Sequence, residues 1–286
     1  MNLFEQNEKE LNIAALDELF ASVRSYRSSQ HYFALIKFIA KLPKYSPFNC
    51  FLLHTQNPDV SYVATANQWK KRFGRRVKDE ARPLVILAPM SPVLFVFDIA
   101  DTEGDPLPDN LLNPFKTKGS LSKSVWNKTT GNLWRDRILL IEDAMHASKA
   151  GWIMKARPRD YISIENDSIP AMYRMQVNSV LDSGAKYATL IHELGHLYCG
   201  HIGTPNEKWW PDRSSLEKEQ VEFEAESVSW LICERAGIEN PSDAYLSGYL
   251  KTNREIPEIS LDRILKVAGH IEGMGKRKLK PRREKE

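Results

Sequence analysis

Residues 187–203 read YATLIHELGHLYCGHIG and contain the pattern His-Glu-x-x-His at positions 192–196. Four residues advance a helix by roughly 400°, so His192 and His196 would project from the same helical face. Their nitrogens could then bind one zinc ion, with Glu193 between them as the general base. Apolar neighbours predict a buried helix, and the alternative to a metal is a pair of core histidines bonded to carbonyls. Gly195, costing about 1 kcal/mol in a helix, indicates close packing of another backbone.

A second helix is predicted from residue 217 to residue 236, where six glutamates alternate with apolar residues. A catalytic zinc site needs a third protein ligand and one open position. Glu222 and Glu226 share a helical face, whereas Glu224 lies roughly 200° from Glu222 and is expected in solvent. One of the paired carboxylates would bind the metal, and the other would accept the free N–H of a ligating histidine. We predict Glu222 as the ligand and Glu226 as its support, with the reverse assignment open.

The segments HELGHLYCGH (192–201) and EFEAESVSWLICERAG (222–237) resemble the ImmA/IrrE family of zinc metallopeptidases, which are compact gluzincins. The resemblance covers about residues 150–240. It implies His192, His196 and Glu222 as zinc ligands and Glu193 as the base. It also implies an α+β, zincin-like domain, in which a small sheet accompanies the two metal helices. The expected activity is endopeptidase cleavage of a specific protein, such as a DNA-bound helix-turn-helix repressor, as a regulatory switch.

Upstream, three segments are similar to the N-terminal part of ArdC-type antirestriction proteins: YSPFNCFLLHTQNP (45–58), SYVATANQWKKRFGRRVK (61–78) and FVFDIADTEGDPLP (95–108). Bases that stack on aromatic side chains in a positive groove are the basis of single-strand binding. The candidates for such contacts are Trp69 and the basic residues Lys70, Lys71, Arg72, Arg75, Arg76 and Lys78. This predicts an alternative function, an ArdC-like protein that binds single-stranded DNA and has a structural or accessory zinc. A basic helix end that is merely solvated is the simpler explanation.

Hydrolysis of an amide would also need a donor for the developing oxyanion. His201, Arg213 and Tyr245 are the candidates, and the sequence does not rank them. A zinc-stabilised scaffold without turnover is a third hypothesis, although a purely structural site would need no base at Glu193.

The chain has 286 residues, 42% of them hydrophobic and 27% charged, as in a soluble globular protein. It contains no apolar run of membrane-spanning length, and its first residues lack the pattern of a signal peptide. Three cysteines without C-x-x-C spacing favour a reducing compartment. We therefore expect a cytoplasmic protein that contacts no membrane. Its oligomeric state does not follow from the sequence.

We predict three parts: a mixed helical and strand region (1–120), the zincin-like domain (121–275) and a disordered basic tail (276–286). Helices are expected over 12–28, 30–42, 67–73 and 258–272, and from Ser46 onward, where Ser46 precedes Pro47. Strands are expected over 83–88, 93–97, 159–166 and 171–180. Arg174–Val180 is either an edge that pairs with an extended substrate or an inner strand.

Overall fold

The computed structural model describes residues 26, 28–88, 91–107, 121–146, 149–164, 167–238, 242–252 and 255–282. The fold is mixed α and β, as predicted. Within these residues the chain forms eight α-helices: α1 (Ser29–Lys41), α2 (Pro47–Gln56), α3 (Ala66–Phe73), α4 (Lys123–Gly131), α5 (Ser183–Cys199), α6 (Lys218–Ala236), α7 (Ser242–Lys251) and α8 (Leu261–Lys276). The helix predicted over 12–28 lies largely outside the described residues.

Ten short strands accompany these helices in the described part of the chain: β1 (Val63–Ala64), β2 (Arg76–Val77), β3 (Leu84–Ala88), β4 (Ser91–Asp98), β5 (Thr102–Glu103), β6 (Ile138–Asp143), β7 (Gly151–Lys155), β8 (Tyr161–Ile164), β9 (Asp167–Pro170) and β10 (Tyr173–Asn178). They form two three-stranded sheets, ordered β1-β4-β3 and β6-β10-β7, and the two-stranded pairs β2-β5 and β8-β9.

The sheet beside the histidine helix decides between the two alternatives for Arg174–Val180. Strand β10 is parallel to β6 on one side and antiparallel to β7 on the other. The segment Arg174–Val180 is therefore not an edge, because the backbone of β10 is paired on both sides. The outer strand on the helix side is β7, where a Cβ at Gly151 would lie 2.6 Å from Cγ2 of Thr189 on α5.

Local sequence explains where α5 begins and ends. The Asp182 carboxylate accepts hydrogen bonds from the backbone N–H groups of Gly184 and Ala185, which satisfies donors at the helix start. The helix ends at Gly200, whose φ of +88° favours glycine. A Cβ at Gly195 would lie 3.2 Å from Cα of Ala225, so the helix pair α5–α6 packs as closely as Gly195 indicated.

Helices α1 and α2 share a core with α5 and α6. Tyr32 on α1 donates a hydrogen bond of 2.7 Å to Ser227 on α6. The guanidinium of Arg235, also on α6, donates to the carbonyls of Ile39 at 2.7 Å and Tyr45 at 2.6 Å. Residues 108–120, where the predicted boundary falls, lie outside the described residues. The division at residue 120 stays a prediction, but α1 and α2 pack directly against the C-terminal half.

The chain after α8 differs from the expected disordered tail. The backbone N–H of Leu279 donates to Oδ1 of Asn132 at 2.8 Å, and the side chain of Arg282 forms an ion pair with Asp136. Asn132 and Asp136 are buried polar residues that need partners, and the C-terminal segment supplies them. Residues 283–286 lie outside the described residues.

None of the helices in the described ranges combines the length and hydropathy that a bilayer crossing requires.

Candidate metal centre

Helices α5 and α6 bring three potential ligand atoms together. Nε2 of His192 lies 3.0 Å from Nε2 of His196, and Oε2 of Glu222 lies 3.7 Å and 3.8 Å from these two nitrogens. Ligands at about 2.0–2.1 Å from a tetrahedral zinc ion are separated from one another by about 3.3–3.4 Å. The observed separations bracket that value, and two imidazoles with one carboxylate form a recognised set for a divalent cation. The three residues therefore fit one such ion.

The remaining nitrogens of the two histidines face different partners. Nδ1 of His192 lies 3.6 Å from Oε1 of Glu226. Nδ1 of His196 lies 3.1 Å from Nδ1 of His201. Histidines that bind metals usually hold their second ring nitrogen against a partner of this kind, which fixes the ring orientation. The geometry is thus consistent with Glu222 as ligand and Glu226 as support, and the assignment stays a prediction.

The expectation that Glu224 lies in solvent is wrong. Its side chain is 0% exposed. The two guanidinium nitrogens of Arg213 donate to its two oxygens at 2.5 Å and 2.6 Å, and Nε2 of His201 lies 3.0 Å from Oε2. The N–H of Ser260 is a fourth contact at 2.7 Å. Burial raises the pKa of this carboxyl, but the hydrogen bonds from His201 and Arg213 lower it below its usual range.

The structure places two of the three candidate oxyanion donors, His201 and Arg213, against Glu224. His201 lies between His196 and Glu224, and Arg213 directs its nitrogens at Glu224 and at the carbonyl of Cys199. Both side chains contact Glu224, on the side of His196 away from the metal-facing Nε2 atom. His201 contacts the ring of His196, and Arg213 contacts the carboxylate on the other side of His201.

Tyr245 remains as the third candidate donor, with 37% of its surface exposed. Burial raises its pKa, a hydrogen bond with Tyr249 acts in the opposite direction, and the charge of Glu222 raises the pKa again. Its ring packs against Tyr249, whose hydroxyl donates to Glu219 at 2.8 Å. Tyr245 therefore stays protonated and able to donate near neutral pH.

Glu193 lies on α5 between the two histidines and is 9% exposed. Burial raises its pKa to about 7, while the charge of His192 and a backbone hydrogen bond from Ile153 on β7 act in the opposite direction. Burial, together with the neighbouring His192 and His201, lowers the pKa of His196 to about 2. His196 is therefore neutral, with a ring nitrogen available to a cation.

A cavity of about 290 Å³ opens beside this cluster. Apart from His192, Glu193 and Glu226, its walls are small side chains: Ala150, Gly151, Ala188, Thr189, Ser229 and Ser242. Of the three candidate ligands, His192 lines this cavity, next to the outer strand β7.

A second group of potential ligands lies behind the first: Cys199, His201 and Glu224. The carboxylate of Glu224 is already neutralised by Arg213, and burial raises the pKa of the Cys199 thiol, which keeps it protonated. A cation requires a thiolate and a free carboxylate, so this group does not fit a metal.

The predicted nucleic-acid surface is only partly present. Trp69 is 0% exposed and donates its indole N–H to the carbonyl of Phe97 at 2.9 Å, so the prediction that it contacts bases is wrong. It fills a small second core with Tyr62, Ala64 and Leu107.

The six basic residues of the predicted surface differ in their exposure and in their partners. Arg75 is buried and donates to Oγ1 of Thr102 at 2.8 Å, so it stabilises the fold rather than a phosphate. Arg76 forms an ion pair of 2.7 Å with Glu103, and the ammonium of Lys78 donates to the carbonyl of Ala100 at 2.8 Å. The exposed residues of the predicted surface are Lys70, Lys71 and Arg72, together with the paired Arg76.

No family model and no curated protein matches the chain. Among solved structures it is similar to the antirestriction protein ArdC from plasmid R388. The metal-free structure of that protein has 17% identity, covers 81% of this chain and 82% of that chain, and has a TM-score of 0.34. The Mn(II)-bound structure has 17% identity, covers 87% and 95%, and has a TM-score of 0.38. None of these comparisons supports the resemblance to the ImmA/IrrE family.

Proposed function

We propose that the chain is a zinc-dependent endopeptidase that cleaves a specific protein. The observation that carries the proposal is the position of Glu193, a buried carboxyl beside three convergent ligand atoms and an open cavity. Two histidines with one glutamate are the ligands of several catalytic zinc sites, and a general base between the ligands has no purpose in a purely structural site.

A bound cation would polarise the scissile carbonyl and lower the pKa of a water molecule in the site. The residues of the chain would carry out the remaining steps. Glu193, with its pKa raised toward 7, would take a proton from the attacking water and pass it to the leaving amine. Tyr245 would donate a hydrogen bond to the developing oxyanion. The contacts from Glu224 to His201 and from His201 to His196 would hold the His196 ligand in place during the reaction.

Substrate binding is proposed at β7 and the adjacent cavity. An extended peptide can add to the outer strand of a sheet through backbone hydrogen bonds, and β7 is the outer strand next to Glu193. The small walls of the cavity beside it would accept one substrate side chain. A helix-turn-helix repressor remains the proposed substrate only through the resemblance to ImmA/IrrE.

The test compares Glu193→Gln with the parent protein in cells. Loss of a general base costs roughly 10²–10⁴-fold in rate, because the amide cannot accept the proton. New protein N-termini that depend on the parent chain should therefore vanish in the variant, while metal content stays the same. Glu207→Gln, at an exposed loop position, is the matched control and should behave like the parent. Identical sets of N-termini for the parent and Glu193→Gln, at equal metal content, would refute the peptidase.

A second candidate function is contact with single-stranded DNA, as in the ArdC-like alternative. The observation that favours it is the exposed run Lys70, Lys71 and Arg72 on α3. Under this alternative the metal is structural or accessory. The Glu193→Gln comparison separates the two, because a scaffold tolerates loss of the base.

A further inference from the structure

A separate cavity of about 210 Å³ lies on the far side of α5, between α8 and the C-terminal segment. Four of its lining residues are cationic: Arg135, Arg263, Lys266 and Arg282. Aromatic and imidazole groups complete the wall, among them Trp209 and His270. We propose that this cavity binds a small phosphate monoester. The proposal is independent of the proposed peptidase, since no residue that lines this cavity belongs to the metal cluster.

The charge of the cavity matches a dianion. Asp136 is shared by Arg135 and Arg282, and Asp262 lies 2.9 Å from the ammonium of Lys266. Four cations against these two carboxylates leave two positive charges around the cavity. A phosphate monoester carries about −1.5 to −2 at pH 7, whereas a carboxylate or a phosphodiester carries one charge. The excess therefore favours a terminal phosphate over either of these.

Donors remain available at the wall. Nε2 of His270 is buried and has no hydrogen-bond partner among the described residues. Such an atom costs free energy unless a ligand or water satisfies it. Arg263 donates from Nε and Nη2 to the carbonyl of Tyr198, and no hydrogen bond within the described ranges involves its Nη1. A guanidinium N–H donates to phosphate oxygens, and so does a neutral imidazole that carries its proton on Nε2.

The geometry of the wall is fixed before any ligand arrives. The guanidinium carbon of Arg282 lies 4.9 Å from the ring centre of Trp209 and is also held by Asp136. Arg135 is anchored in addition by the carbonyl of Lys280 at 2.7 Å. Preorganised cations lose little side-chain entropy on binding, which distinguishes this cavity from a run of mobile surface lysines. Pockets for drug-sized ligands measure about 300–1,000 Å³, so this smaller volume suits a phosphate on a single sugar.

The experiment is titration calorimetry of the full chain with inorganic phosphate, ribose 5-phosphate and ribose. The two phosphates should bind and ribose should not, with both affinities falling as salt is added. Lys266→Gln changes an exposed side chain and should weaken ribose 5-phosphate about threefold. His270→Phe removes the unpartnered donor and should weaken it roughly tenfold. Lys37→Gln, an exposed change on α1, is the matched control and should leave affinity unchanged.

Phosphate is itself a metal ligand, so it could also bind at the metal cluster. Lys266→Gln and His270→Phe distinguish the two places, because both residues line this cavity and neither belongs to the cluster. Binding that is abolished by chelation but unaffected by Lys266→Gln and His270→Phe would overturn the proposal. So would equal binding of ribose, or binding of an oligonucleotide without a terminal phosphate in preference to ribose 5-phosphate. Stronger binding of ribose 5-phosphate than of inorganic phosphate assigns the site to a sugar phosphate; equal binding assigns it to the phosphate group alone.

Discussion

Arg213 and Glu224 form a two-armed ion pair in which both guanidinium Nη atoms donate to the two carboxylate oxygens, at 2.5 Å and 2.6 Å. The pair is the inner end of a chain of contacts that reaches the metal cluster through His201 and His196. Because the N–H of Ser260 also donates to Glu224, the same carboxylate connects α6 to the start of α8. Helices α5 and α6 are thus oriented by a buried polar network and not by apolar packing alone.

Removing Arg213 should destabilise the whole fold. In Arg213→Gln the carboxylate of Glu224 would be left buried without its cation, and breaking a buried pair in this way costs about 3–5 kcal/mol. Urea unfolding measures the loss. Arg76→Gln is the matched control, because its pair with Glu103 is exposed and screened by solvent, so its loss should change stability little. Equal losses in the two variants would show that the Glu224 network contributes little to stability.

His270 should make stability depend on pH. Burial lowers its pKa to about 4; Asp136 raises that value, whereas Arg135 and Arg282 lower it. Between this value and about 6.5 the unfolded chain binds more protons, so stability from this group is present above pH 6.5 and lost as pH falls toward 4. From pH 7 to pH 5 the parent should lose roughly 2 kcal/mol more than His270→Gln. His31→Gln, at an exposed position, should keep the slope of the parent, and a parent-like slope in His270→Gln would contradict the assignment.

Most of the helices were predictable because they carry their own boundary and period, whereas α4 was not predicted. Ser46 and Pro47 begin α2 as expected, and the period of α5 places His192 and His196 side by side. Strand order was not predictable, because alternation indicates which face of a strand is buried but not which strands are its neighbours. Strands β6 and β7 were not predicted, and the central position of β10 depends on both.

The burial of Glu224 shows what a helical projection cannot predict about the candidate metal centre. A helical projection gives its angle to Glu222 but does not reveal that α6 is covered on that side as well. Its neighbours Phe223 and Ala225 were the available signal, since a carboxylate between buried apolar residues needs a cation such as Arg213. For Trp69 no comparable signal existed, because a tryptophan on a short basic helix is equally compatible with a core and with a base-stacking surface.

Nucleic-acid binding, if α3 carries it, should depend on a narrow set of side chains. Reversing Lys70, Lys71 and Arg72 to glutamate should weaken single-stranded DNA binding and reduce the salt slope by about 0.7 for each phosphate that is no longer neutralised. The control reverses three other exposed lysines, Lys37 and Lys41 on α1 and Lys218 on α6, so that the change in net charge is the same. Fluorescence anisotropy at several salt concentrations measures both quantities. Equal effects of the two sets of reversals would indicate non-specific attraction to net charge and exclude α3 as a binding surface.

The last prediction concerns which glutamate binds the metal. Oε2 of Glu222 faces the Nε2 atoms of both histidines, whereas Glu226 faces Nδ1 of His192. Glu222→Gln should therefore remove a ligand and leave the protein without stoichiometric zinc after dialysis. Glu226→Gln should retain the ion with about 10–100-fold lower affinity, because it loses only the support of a ligand. Glu219→Gln is the control on the same helix, since Glu219 bonds to Tyr249 instead.

Metal content by emission spectrometry and affinity by competition with a chromophoric chelator measure these effects, with zinc and manganese in parallel. Zinc should bind more tightly than manganese, as expected for two imidazole ligands. A larger loss in Glu226→Gln than in Glu222→Gln would reverse the assignment of ligand and support. Full zinc retention in His196→Ala would refute the assignment of His192, His196 and Glu222 as zinc ligands, because two of three ligands rarely hold a zinc ion against dialysis. Glu222→Gln that loses zinc without a change in the urea midpoint would show that the ion does not hold α5 against α6. That result is expected of a catalytic site, whereas a structural zinc should lower the midpoint when it is lost.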